Sequence, residues 1–105
     1  MTPAVSASVE EIRAKMESQA GYRLYGGEVQ TEGPALYGAS ACLIYMDSES
    51  GGMLQFYFYT TASAAQSNYS TVWKPTADEL GDVCKIDGSM VYSGNAEFVA
   101  IFEGL

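Results

Sequence analysis

Histidine is absent from this 105-residue chain, and basic residues are scarce: five Lys and Arg stand against thirteen Asp and Glu, a formal charge of −8. Without histidine the chain lacks the commonest metal ligand and the side chain that ordinarily titrates between about pH 5 and pH 8. A Ser-His-Asp triad is therefore impossible, and general-base work would fall to a strongly shifted carboxylate, Cys or Lys. The shortage of basic residues argues against direct nucleic-acid binding, because a net negative surface repels phosphate backbones. Cysteine is nearly absent too. Cys42 and Cys84 alone are too few for a structural zinc cluster. They are either one disulfide in an exported protein or two buried thiols in a cytosolic one. No apolar run is long enough to span a bilayer, so no membrane insertion is expected. The start, MTPAVSAS, lacks the basic and apolar segments of a signal peptide. The location stays open: cytoplasmic if Met1 is native, extracytoplasmic if this is a processed domain.

What is present is apolar and aromatic. Hydrophobic residues make up 48%, with eight Tyr, four Phe and one Trp, enough for a core and against global disorder. The length suits one core, and with no linker, low-complexity segment or repeat the expectation is one domain over 1–105, residues 1–7 being a flexible tail. Acidic excess keeps such a domain soluble or suits it to a basic partner.

Ser8-Val9-Glu10-Glu11 is a capping-box pattern. Val9, Ile12, Met16 and Ala20 then recur on one helical face, and Gly21 stops the helix. Residues 22–29 read as a strand interrupted by Gly26-Gly27, and Glu32-Gly33-Pro34 as a turn. The strand expected over 36–46 is apolar on both faces and so central in its sheet. The polar loop 47–52 leads into a returning strand over 53–60. Thr60 or Thr61 caps a second helix, in which Ala65, Tyr69, Val72 and Trp73 repeat at helical spacing. Lys74-Pro75 ends or kinks it, and Thr76-Ala77-Asp78-Glu79 is a second capping-box pattern. Residues 82–86 and 89–93 form a hairpin around Asp87-Gly88. Residues 95–103 read as a helix capped by Asn95 and closed by Gly104, with a strand as the alternative. The resulting fold class is α+β in the order α-β-β-β-α-β-β-α, a mainly antiparallel sheet of about five strands with helices on one face.

Phe56-Tyr57-Phe58-Tyr59-Thr60, the helix holding Ala65 and Tyr69, and Met90-Val91-Tyr92-Ser93-Gly94 together resemble small α+β domains of exported bacterial lipoproteins. In those, an aromatic strand runs into an Ala-rich helix and a hairpin precedes a last helix. The resemblance covers the second half of the chain and implies the fold; no activity comes with it.

No catalytic or metal-binding motif emerges, and no cofactor is called for. Asp47 with Glu49, and the run Asp78, Glu79, Asp82 and Asp87, are the candidate carboxylate groupings. The first sits in a Gly/Ser loop and the second at a helix end and a turn, where such residues have local capping roles. The loop 47–51 lacks the later bidentate Glu of a calcium site. Lys85 and Cys84 are adjacent in a strand and point oppositely, so Lys85 does not activate the thiol. No glycine grouping makes a phosphate loop.

Surfaces for a partner remain. Tyr57 and Tyr59 with Gln55 on one strand, and Tyr37 and Tyr45 on its neighbour, form either a Tyr-rich patch or the cover of the sheet. Trp73 reads as a core anchor. Asp78, Glu79, Asp82 and Asp87 form an acidic segment. The expected function is a non-enzymatic protein-binding domain, an acidic inhibitor encoded by a mobile element. It would occupy the nucleic-acid site of a basic enzyme, as anti-CRISPR proteins and other DNA mimics do. The alternative is an extracytoplasmic domain of a bacterial surface protein or lipoprotein that binds a peptide, glycan or subunit. That alternative expects a Cys42–Cys84 disulfide or a Tyr-lined groove. A carboxylate-dependent hydrolase is a third reading and needs two close carboxylates in a cleft.

Overall fold

A strand with apolar side chains on both faces must be covered from both sides, and that requirement sets the architecture of the computed structural model. It describes residues 9–18, 24–26, 29, 38–47 and 49–104. The expected tail, the caps at Ser8 and Gly21, the turn at Glu32-Gly33-Pro34 and Tyr37 lie outside them.

The elements are α1 (Val9–Glu17), β1 (Leu24–Gly26), β2 (Ala41–Asp47), β3 (Met53–Phe58), α2 (Ala62–Asn68), a π-helical segment (Tyr69–Trp73), α3 (Lys74–Leu80), β4 (Val83–Asp87), β5 (Met90–Gly94) and α4 (Ala96–Glu103). Every strand pairing is antiparallel, in the order β1-β2-β3-β5-β4. Four strands have five to seven residues, and the three-residue β1 lies at one edge. The α+β class and the antiparallel sheet are as the sequence implies.

The helices do not share one face, and this corrects the expectation. Leu43 and Tyr45 of β2, Leu54, Phe56 and Phe58 of β3, and Met90 and Tyr92 of β5 join Ile12 and Met16 of α1 and Phe98, Val99 and Phe102 of α4 in one cluster. Cys42, Tyr57, Cys84 and Val91 face the other way and pack with Tyr59, Ala65, Trp73 and Ala77 in a second cluster. The central strands alternate between two apolar sets, so α1 with α4 covers one face and the α2–α3 run covers the other. Phe56 centres the first cluster, its ring 4.9 Å from Phe102 and 6.0 Å from both Tyr45 and Tyr92.

The helical run through Pro75 shows why the second capping box fails. Thr61, not Thr60, is the N-cap, its hydroxyl accepting from the Ala64 N–H at 3.0 Å. Ala65, Tyr69, Trp73 and Ala77 are spaced four apart, which in an α-helix would rotate each by about 40° from the last. The π segment takes up one residue and holds them closer to one line, with Ala65, Trp73 and Ala77 buried on the sheet. The N–H of Lys74 reaches back to the Tyr69 carbonyl, and Pro75, which has no N–H, follows at the start of α3. Thr76 lies inside α3, and its hydroxyl donates to the Val72 carbonyl at 2.7 Å rather than capping Glu79. The αL residue Gly81 ends α3.

The β4–β5 turn is displaced by one residue from the expected position. Asp87 pairs with Met90, so the two turn residues are Gly88, at φ 62°, and Ser89. The last element is a helix, with the Asn95 side chain accepting from the Glu97 N–H at 2.9 Å.

Candidate functional site

Among the described residues, the candidate tyrosines Tyr45, Tyr57 and Tyr59 do not make an open patch. Tyr45, Tyr57 and Tyr59 are only 4%, 6% and 3% exposed. Tyr45 also sits in the α1/α4 cluster, on the opposite face from Tyr57 and Tyr59. The reason is register: Tyr45 pairs with Leu54 and Cys42 with Tyr57, so odd residues of β2 share a face with even residues of β3. Tyr57 stacks on Trp73 with ring centroids 4.0 Å apart and donates its hydroxyl to Gln55 Oε1 at 3.0 Å. The Trp73 indole N–H donates to the Tyr59 oxygen at 2.8 Å. These three rings are a hydrogen-bonded core under the α2–α3 run.

The cysteines are free and buried. They lie on β2 and β4, with β3 and β5 between. Three strand spacings separate the two chains by about 14 Å, well beyond the roughly 7 Å that a disulfide spans between Cα atoms. Burial pushes the Cys84 thiol up to about 11, partly offset by its hydrogen bond with Ser93, and raises Cys42 as well. Neither environment favours a reactive thiolate.

Asp47 is buried, and its carboxylate serves its own loop. It accepts from the Ser50 hydroxyl at 2.7 Å and from the backbone N–H groups of Glu49 and Ser50 at 3.3 Å each. Its pairing with Glu49 is therefore a turn device rather than an acid–base pair. Among the described residues, no cluster of three His, Cys, Asp or Glu side chains is placed to hold a metal.

The acidic segment is divided by β4. Asp82 precedes the strand and Asp87 ends it, roughly 16 Å apart at the rise of an extended chain. Asp78 is paired with Lys74 at 2.6 Å on the exposed face of α3, and the pair raises the Lys74 pKa. Asp87 lines a different depression of about 530 Å3, against Glu11, Ile12, Lys15, Met90 and Phe102. There the Lys15 ammonium lies 5.3 Å above the Phe102 ring, so a cation already occupies the approach.

A second groove, of about 240 Å3, runs between α3 and the strand ends and is the better candidate site. Trp73, Ala77 and Leu80 form its helical wall, and Met53, Gln55 and Gly94 its sheet wall, with Asp82 and Asn95 at the rim. Gly94 is forced here: a Cβ would stand 2.6 Å from the Met53 carbonyl oxygen. Leu80 is 70% exposed, Met53 43% and its cross-strand partner Met46 47%, giving the groove an exposed apolar border.

The same end of the sheet gathers carboxylates. Met46 pairs with Met53, and Leu54 and Val83 both pair with Gly94, so the β2–β3 loop, the start of β4 and the start of α4 converge there. Glu49, Asp82 and Glu97 belong to those segments, and Glu79 lies on the last turn of α3 beside Leu80. The described basic side chains are engaged elsewhere: Arg13 with Glu10, Lys15 over Phe102, Lys74 with Asp78, and Lys85 with Glu103. Thus Asp78, Glu79 and Asp82 stay near one another, whereas Asp87, Tyr45, Tyr57 and Tyr59 do not join them.

Of the groove residues, the sequence singled out Gln55 only as part of the Tyr-rich strand face and Asn95 only as a helix cap, and it did not single out Met46, Met53 or Leu80 as a surface. Two signals pointed to them: methionines flank a polar loop at matched positions, and Leu80 stands directly before the helix-ending Gly81. Comparison of the chain with protein-family models, with curated proteins and with solved structures finds no match.

Proposed function

We propose that this chain is a non-enzymatic protein-binding domain whose partner carries a basic surface, an acidic inhibitor or nucleic-acid mimic acting on a basic enzyme. The observation that carries the reading is the placing of Asp82, with Glu79 three residues before it, beside the exposed Leu80 and Met53, at the end of the sheet where the β2–β3 loop with Glu49 and the start of α4 with Glu97 also lie. Carboxylates concentrated at one end make a directional field, which steers a cationic partner and fixes its approach. The apolar border supplies area that a purely solubilising acidic surface has no need of. The extracytoplasmic alternative loses one of its supports, because Cys42 and Cys84 are too far apart to bridge, and the described tyrosines of its other support, Tyr45, Tyr57 and Tyr59, are buried.

The test is affinity capture of host proteins on the immobilised chain at about 50 mM and about 500 mM salt, where the screening length falls severalfold. Recovery of a basic nucleic-acid enzyme at the lower salt, lost from a Glu79→Gln/Asp82→Asn double variant, is the expected result. Recovery that ignores both salt and these substitutions refutes the reading.

A further inference from the structure

We infer that the groove between α3 and the ends of β3–β5 is a docking site for a short segment of the basic partner, seating one aliphatic side chain between flanking Lys or Arg residues. The inference rests on the binding reading above and names the surface and the occupant. Three features define that occupant. The floor is apolar but shallow: Met53, Ala77, Leu80 and the edge of Trp73 leave about 240 Å3, room for one side chain rather than a helix face. The groove is anionic at Asp82, its one charged lining residue, so the residues flanking the anchor must be cationic.

Third, the groove offers polar handles whose other halves are already used. Gln55 Oε1 accepts from Tyr57, and Asn95 Oδ1 accepts from the Glu97 N–H. Each amide is thereby oriented, leaving its NH2 to donate to a backbone carbonyl. An extended segment satisfies all three conditions. An acidic or purely polar segment satisfies at most one.

The peptide KKLKK reproduces the chemistry of that segment. With KKSKK and EELEE as controls, it is titrated into the full chain at about 20 mM salt and followed by backbone amide shifts. Saturable shifts at Met53, Trp73, Ala77, Leu80, Asp82 and Asn95 are expected, with KKLKK binding about tenfold tighter than KKSKK for the buried anchor. Leu80 is mostly exposed, so Leu80→Ser should leave the fold intact and bring KKLKK down to the KKSKK affinity. Equal affinities for the two cationic peptides, or shifts that map to α1 or Asp87, overturn the groove assignment while leaving the basic-partner reading in place. Failure of every cationic peptide to bind, or tighter binding of EELEE, overturns both.

Discussion

Replacing Tyr59 by Phe deletes one oxygen from the interior, and with it the acceptor of the Trp73 indole N–H. The indole N–H donates to that oxygen at 2.8 Å, and both side chains are buried. The ring volume and the apolar area stay the same, so the transfer term is close to zero. What remains is a buried indole donor that has lost this acceptor, against the desolvation relief of removing a buried hydroxyl. An unmade buried hydrogen bond costs about 1–3 kcal/mol, and the relief offsets part of it, leaving a loss of about 1–2 kcal/mol. For a domain of this length that lowers Tm by about 5–10 °C.

The assay is equilibrium urea unfolding followed by the fluorescence of Trp73, the only tryptophan, alongside far-UV circular dichroism. The midpoint should fall with no change in slope, since the surface exposed on unfolding is the same. Trp73→Phe, read by dichroism, should cost more, because it also thins the ring stacked 4.0 Å from Tyr57. The double variant then closes a cycle with a coupling of about 0.5–1.5 kcal/mol. A Tyr59→Phe midpoint matching the parent, together with zero coupling, would refute the claim that this bond ties the α2–α3 run to the sheet.

Ser89 Oγ is buried with no hydrogen-bond partner among the described residues, so Ser89→Ala should raise stability by up to about 1 kcal/mol, and a clear loss in urea unfolding would contradict that. Gly94→Ala should destabilise by about 2–3 kcal/mol, because the added methyl meets a strand carbonyl rather than a movable side chain; a thermal melt within a degree of the parent counts against it. Glu103 accepts from Lys85 at 2.8 Å and from Tyr92 at 2.9 Å, which hold its carboxyl below the ordinary range, Lys85 being the larger cause. Its contribution is therefore complete above the unfolded value of about 4.3 and is lost as pH falls through the lower folded value. Glu103→Gln should flatten stability against pH on that acid side only, whereas an unchanged acid-side slope would remove Glu103 from the account. Cys42 and Cys84 should resist a thiol reagent at pH 8 until urea unfolds the chain, with about one Cys84 in a thousand ionised, and fast native labelling would show the burial to be wrong.

Where local chemistry decided the outcome, the sequence carried it. Asn95 and Thr61 act as caps because each places a side-chain oxygen before a helix-forming stretch. The hairpin at Gly88 was legible from its glycine, though not its register. That register depends on the pairing of Asp87 with Met90, and so on which residues β3 selects across the sheet. The alternation of apolar residues in β2 is also visible, and the expectation of helices on one face conflicts with it. A strand apolar on both faces already implies helices on both sides, and it implies that Tyr45 and Tyr57 part company if Cys42 faces Tyr57. The π segment was hidden for a different reason: spacing of four fits an α-helix over two turns and drifts only over three. Thr76 shows the limit of motif reading, since a capping box describes the start of a helix and this residue lies within one.

The candidate groove belongs to a class of feature that no linear pattern encodes, because its two walls come from residues 52–55, 73–82 and 93–95. What makes it a site rather than a gap is the conflict between composition and place. Leu80 could have been any polar residue at no cost to the core, since α3 is already anchored by Ala77 and Trp73. Met46 and Met53 face each other across two strands at the open end of a sheet whose other cross-strand pairs on that face, Ile44 with Gln55 and Cys42 with Tyr57, run progressively under the helices. Methionine at such a border is a flexible, polarizable surface that adapts to an incoming side chain. Placing carboxylates around it raises the cost of self-association between identical acidic surfaces while favouring a cationic partner. Under the proposed reading the same residues would exclude copies of the chain and admit a cationic partner.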